Sequence, residues 1–219
     1  SAFSNRRRGM ANVYERLGVR IVINGVGPAT RLSGGIMRPE VAEAMKEASQ
    51  HCVDIAELQA RAGEIIAAAT GAEAGYVTSG AAAGLLLGTA ACVTGLDPVA
   101  MNRLPDTKGM KDRVIISRSQ RNFYDHAIRT AGVELVEVGI ADRFSGAGVR
   151  DTEAWEIAAA IDERTAAVCY VAYGHSLPPL PEVVEVAHAA GLPVLVDAAV
   201  QLPPAGNLKR FIAEGADLV

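Results

Sequence analysis

The sequence predicts an α/β fold: a mostly parallel sheet with helices on both faces. Three observations lead there. Short β-branched runs alternate with longer helical stretches along the 219 residues. The strand candidates are continuous apolar runs, as in strands covered on both faces. Alanine and glycine are abundant while aromatics make up 5%, which favours close helix-on-sheet packing over a β-sandwich.

In chain order, strands are expected at "VRIVIN" (19–24), "AGYVTS" (74–79), "RVIISR" (113–118), "VELVEV" (133–138), "TAAVCYVAY" (165–173) and "LPVLVDA" (192–198). Helices are expected at 39–51, 54–70, 81–94, 122–131, 151–160, 180–190 and 206–214. The helix at 54–70 opens with Asp54 and Glu57 at capping-box spacing and stops at Thr70–Gly71. "GLDPVAMNRLPDTKGMKD" (95–112) is rich in Gly, Pro, Asp and Lys and reads as an exposed excursion. Residues 1–50 read as an N-terminal arm with one helix, and 51–219 as the main domain. The closing "FIAEGADLV" resembles the start of a further strand, so the protein is expected to continue past it.

Composition excludes several classes of function. Half the residues are apolar and the net charge is −4, with no basic patch interleaved with aromatics, so nucleic acid is not an expected partner. Arg6, Arg7 and Arg8 read as a solvated tail. The three cysteines, Cys52, Cys92 and Cys169, form no CxxC pair; a reducing, cytoplasmic setting is expected, and no metal. No apolar run is long enough to span a bilayer. HExxH, GxSxG and EF-hand patterns are absent.

Five stretches carry candidate chemistry. "PVLVDAAVQLPP" (193–204) runs from an apolar strand into Asp197, at the carboxyl end where open α/β sheets bind ligands. A buried carboxylate there calls for a cation, and a protonated ring nitrogen would supply one; capping of the next helix is an equal reading. "TSGAAAGLLLG" (78–88) opens a helix through small residues, which lets backbone N–H groups approach a phosphate. Ser79 as an ordinary N-cap explains it almost as well. "NGVGPAT" (24–30) has G-x-G without the third glycine and is rejected as a dinucleotide loop; Asn24, Thr30 and Arg31 remain candidates to line a site. Arg31 suits a carboxylate or phosphate, though a surface arginine is the default. In "SRSQRNFYDHAIR" (117–129), Gln120, Arg121, Tyr124 and His126 are candidates to cover a planar ring. In "YVAYGHSLPP" (170–179), Tyr173, His175 and Ser176 leave a strand end, and ordinary loop polarity explains them too.

Together and in order, "YERLGVRIVINGVGPATRLSGGIMRPEVAEAM", "VDIAELQARAGEIIAAATGAEAGYVTSGAAAGL", "LPVLVDAA" and "FIAEGADLV" resemble the selenocysteine synthase-like proteins. These are pyridoxal 5'-phosphate enzymes of aminotransferase fold type I, in the branch of the D-glucosaminate-6-phosphate ammonia-lyases and L-seryl-tRNA(Sec) selenium transferases. The resemblance covers about Val13 to Val219. It implies that Asp197 pairs with the pyridine nitrogen, that Ser79, Gly80 and Ala81 hold the cofactor phosphate, and that the 118–121 segment, through Gln120, packs on the ring. Arg31 and Tyr173 are the candidate substrate contacts.

The resemblance also implies a Schiff-base lysine just beyond "GADLV", which Lys46, Lys108, Lys111 and Lys209 do not match. The chain is therefore expected to be a fold type I large domain cut short before the small C-terminal domain. The implied activity is α-proton removal and β-elimination on an amino acid or amino-sugar acid, in a homodimer or higher oligomer. The alternatives are a selenium transferase, or a non-catalytic ligand-binding relative if the chain ends at Val219. A tRNA partner is not expected, because only about twenty residues precede "VING" and no tRNA-binding domain fits there.

Overall fold

A computed structural model describes residues 12–27, 29–140 and 151–219; Arg6–Arg8 lie outside them. The chain divides between Cys52 and Val53 into an N-terminal unit and a larger one.

Among the described residues, the N-terminal unit holds two α-helices. The four-residue α1 (Val13–Arg16) is closed by a reciprocal capping box between Asn12 and Glu15. The longer α2 (Pro39–Ala48) starts with proline at its first position, where the missing N–H costs nothing. The expected strand at 19–24 does not form. Those residues join no ladder, and Ile21 and Ile23 are exposed.

The larger unit is built on four parallel strands in the order β2-β1-β3-β4. These are β1 (Arg113–Ser117), β2 (Glu134–Val138), β3 (Thr165–Val171) and β4 (Val194–Asp197). Every residue of β3 is buried, as a central parallel strand requires. Its residues alternate between two cores. Val168 and Tyr170 join Ile157 of α7 (Ala154–Ala160), Leu180 and Val183 of α8 (Leu180–Ala189) and Phe211 of α9 (Asn207–Ala213). Ala167, Cys169 and Val171 face the other way, onto Leu85 of α4 (Ala81–Thr94) and Ile128 of α6 (Asp125–Thr130). Helices thus cover both faces of the sheet. Leu218 adds a parallel bridge to Leu195 along the outer side of β4.

Pairing in the order β2-β1-β3 means that β1 sends the chain first to one side and then to the other. The boundary between β1 and β3 is therefore a topological switch point, where the two crossovers diverge and leave a crevice at the strands' carboxyl ends.

The expected strand at 74–79 is also absent. Residues 75–77 run beside α3 (Ile55–Thr70), and the Gln59 side chain takes the place of a neighbouring strand. Its Nε2 donates to Val77 O (2.8 Å) and its Oε1 accepts from Val77 N–H (3.1 Å). The approach is close enough to require glycine, since a Cβ on Gly63 would sit 2.4 Å from the carbonyl oxygen of Gly75. The α3 signals are observed: Asp54 Oδ1 accepts from the N–H groups of Ala56 and Glu57, and Gly71 ends the helix at φ 79°. The 95–112 excursion is more ordered than expected. It contains α5 (Pro98–Arg103), capped by Asp97, and a buried Thr107 whose hydroxyl donates to Gly132 O at 2.8 Å.

Candidate active site

The carboxyl ends of β1, β3 and β4 bring together most of the residues singled out from sequence. Asp197 is the last residue of β4 and is 8% exposed. Its Oδ1 accepts the N–H of Ala199 at 3.0 Å. The next helix, α9, begins only at Asn207, so Asp197 does not cap it. No lysine, arginine or histidine among the described residues pairs with this carboxylate. Its charge is nevertheless felt: burial first, then Asp197 and Asp125, push the Cys169 thiol far up.

The start of α4 supplies the complementary chemistry. Gly80 is its N-cap, at φ 140°, and no side chain caps the helix. The Thr78 hydroxyl donates to Gly80 O at 2.8 Å and turns the chain there. Ser79, Gly80 and Ala81 are exposed, and a Cβ on Gly80 would meet nothing within 4 Å. The N–H groups of the first turn of a fourteen-residue helix therefore face open space, an arrangement that favours an anion. Leu85, one turn further on, lines the same small cavity as Asp197.

The segment after β1 behaves differently from its expectation. Gln120, on a 3₁₀ turn (Arg118–Gln120), is 1% exposed. Its Oε1 accepts from Val171 N–H (2.9 Å) and its Nε2 donates to Leu177 O (3.3 Å). An amide spent on two backbone groups of β3 and its following loop is not a surface that covers a ring; Gln120 fastens the β1 exit to the β3 exit. Arg121 and Arg129 both pair with Asp125, whose side chain is 7% exposed, and Arg121 also reaches Glu137. The bond it donates to Asp125 holds the Arg121 guanidinium above its usual range. His126 contacts Arg129, and Tyr124 is exposed.

Asn122 was not singled out from sequence. Its Nδ2 lies 2.9 Å from the Tyr173 hydroxyl, across the switch point. The His175 ring stacks on Tyr173 with centroids 5.4 Å apart. Ser176 Oγ accepts from Tyr173 N–H and donates to Val171 O, closing the loop after β3. Arg31 is exposed on a 3₁₀ turn (Thr30–Leu32) of the N-terminal unit. Asn24 accepts from Val26 and Gly27 N–H and shapes its own loop.

A model of the DegT/DnrJ/EryC1/StrS aminotransferase family matches residues 49–206. The chain belongs to this family. DegT/DnrJ/EryC1/StrS aminotransferases depend on pyridoxal phosphate, and the donor set suits that group. An uncapped, open helix N-terminus fits a phosphate monoester, and a buried carboxylate without a cationic side chain among the described residues fits a protonated pyridine nitrogen. Two curated relatives are similar over nearly the whole chain. D-glucosaminate-6-phosphate ammonia lyase of Salmonella typhimurium is 35% identical, covering 95% of this chain and 55% of the relative. 5'-C-glycyluridine monooxygenase-decarboxylase of a Streptomyces species is 35% identical over 99% of this chain and 54% of the relative. A solved structure of D-glucosaminate-6-phosphate ammonia-lyase superposes with a TM-score of 0.85 at 34% identity, covering 95% of this chain and 55% of that one. The fold is thus that of the fold type I enzymes. The chain spans about half the length of the curated relatives it matches.

Proposed function

We propose that this protein is a pyridoxal phosphate-dependent ammonia-lyase acting on an amino acid or amino-sugar acid, by α-proton removal and β-elimination. The observation that carries the reading is Asp197: a carboxylate 8% exposed at a strand's carboxyl end, with no cationic side chain among the described residues to balance it. The similarity to an enzyme named for D-glucosaminate 6-phosphate supports a phosphorylated amino-sugar acid as the substrate class.

When bound, the cofactor supplies an electron sink that acidifies the α-carbon of an attached amino acid. This chain's residues do the holding. Asp197 keeps a proton on the ring nitrogen, because a cation there relieves the carboxylate's own desolvation. The turn at Ser79, Gly80 and Ala81 presents the first N–H groups of α4 to the phosphate. Gln120 positions the β1 exit. Main domain and arm as divided above, the selenocysteine synthase-like lineage, the homo-oligomer, the cytoplasmic setting and a Schiff-base lysine beyond Val219 belong to the same proposal.

The test is reduction of the cofactor-loaded complete protein with borohydride, followed by intact mass and peptide mapping, beside an assay of ammonia release from D-glucosaminate 6-phosphate. A reduced cofactor adduct together with ammonia release is expected. No adduct and no ammonia would overturn the reading. Equal identity to the monooxygenase-decarboxylase favours one rival, oxygen-dependent decarboxylation; oxygen uptake and carbon dioxide release in place of ammonia would identify it.

A further inference from the structure

We propose that Tyr173 is the hydrogen-bond donor this site offers to an anionic oxygen of its ligand, and that Asn122 is the positioning residue that fixes the direction of its proton. The inference rests on the reading above and adds to it a polarity that the fold enforces. Asn122 stands in a turn of its own making: its Oδ1 accepts the N–H of Tyr124 at 2.8 Å, and its carbonyl accepts the N–H of Asp125 at 3.3 Å. That first bond decides the amide's orientation, because only an oxygen can face a backbone N–H. The amide nitrogen is therefore the end that meets Tyr173, 2.9 Å from the phenol oxygen.

A phenol carries one proton and accepts through its oxygen. With Asn122 as the donor, the Tyr173 oxygen is the acceptor and its proton is left for another partner. The backbone holds the ring still: Tyr173 N–H is fixed by Ser176 Oγ, and His175 stacks on the ring at an interplanar angle of 12°. Asn122 lines a small cavity together with Asp197, and the Tyr173 hydroxyl stands beside that cavity, 2.9 Å from the Asn122 amide nitrogen. Its match is a carboxylate or phenolate oxygen, from the substrate or from the cofactor.

Three variants of the complete protein separate these possibilities. Tyr173→Phe removes the donor. Asn122→Asp keeps the oxygen that Tyr124 N–H needs but turns the other end into an acceptor, which captures the phenol proton. Asn122→Ala removes both. The dissociation constant for pyridoxal phosphate, the induced circular dichroism of the bound cofactor and KM for D-glucosaminate 6-phosphate are measured for each, with thermal melts to check folding. Tyr173→Phe and Asn122→Asp should weaken the same quantity by about tenfold or more, the effect of a lost bond to a charged acceptor. A change in the cofactor constant and dichroism assigns the oxygen to the cofactor. A change in KM alone assigns it to the substrate. If the native protein binds pyridoxal phosphate and Tyr173→Phe stays within twofold on every quantity, or Asn122→Asp matches the native protein while Tyr173→Phe does not, the inference is overturned alone. If the native protein does not bind pyridoxal phosphate, the functional reading fails and takes this inference with it.

Discussion

Gln120 Oε1 accepts the backbone N–H of Val171 at 2.9 Å, so one side chain closes the carboxyl end of the β3 ladder. Removing it leaves a buried N–H with no partner. Gln120→Ala is expected to lower stability by about 1–3 kcal/mol, read from urea midpoints. Gln120→Glu keeps an acceptor for Val171 but sets a carboxylate oxygen against Leu177 O in place of the donor, and should cost more than a neutral change of the same size.

Asp197→Asn separates the stability of the fold from the holding of the cofactor. Asparagine retains the oxygen that accepts Ala199 N–H and removes a buried charge. The cofactor-free variant should melt at or above the native temperature, while its dissociation constant for pyridoxal phosphate rises by at least about tenfold. A melt several degrees lower would mean that the carboxylate serves the fold instead.

Acid should loosen the sheet at the amino-terminal ends of its two central strands. The Arg164 guanidinium, bonded to Asp112 at 2.7 and 2.8 Å, holds that carboxyl below its ordinary value. Burial works against Asp162, yet the Thr165 hydroxyl and Arg113 still bring it down. A carboxyl lowered by folding contributes stability that is present above the unfolded value, about 3.9, and is lost as pH falls through the lower folded one. Asp112→Asn should therefore be less stable than the native protein at pH 7, and the gap should shrink as the pH is taken below about 3.9. A gap that persists in acid would show that the ion pair is not its source.

Gly63→Ala tests the close passage of α3 over residues 75–77. The added Cβ would meet Gly75 O at 2.4 Å, and neither partner is a flexible side chain. A loss of about 1–3 kcal/mol is expected, with the Gln59–Val77 pair disrupted and amide exchange at Val77 accelerated.

Thiol chemistry should be uneven. Cys52 is exposed, burial and the Asp217 charge push the Cys92 thiol up to about 11, and Cys169 is buried with its thiol far higher. Ellman's reagent on the native protein should modify Cys52 quickly and Cys169 only on unfolding. Rapid reaction of Cys169 would contradict the packing of β3.

The four strands and most helices were legible because continuous apolar runs survive any choice of neighbours. "AGYVTS" was misread for the same reason: Tyr76 and Val77 have strand-like character, but a strand exists only where a ladder partner does, and here Gln59 occupies that place. Asp197 was legible as a carboxylate at a strand's end, and its lack of a helix to cap needed the structure. The direction of Gln120 was not legible, since a 3₁₀ turn after a strand can point a side chain to either side. Asn122 did leave a trace, an asparagine two residues before an N–H it could accept, which is how such side chains build turns. Its partner Tyr173, fifty-one positions away, left none.

The strand order also dictates how the chain must assemble. Arg113 meets Glu134 after 21 residues, while Asp112 meets Arg164 only after 52. Closing the longer loop costs about 0.8 kcal/mol more in chain entropy, so β1 finds β2 before it finds β3. Until β3 arrives, β1 has one unpaired edge. The crevice beside Asp197, Asn122 and Tyr173 thus needs the β1–β3 and β3–β4 pairings together, in addition to the more local β1–β2 pairing.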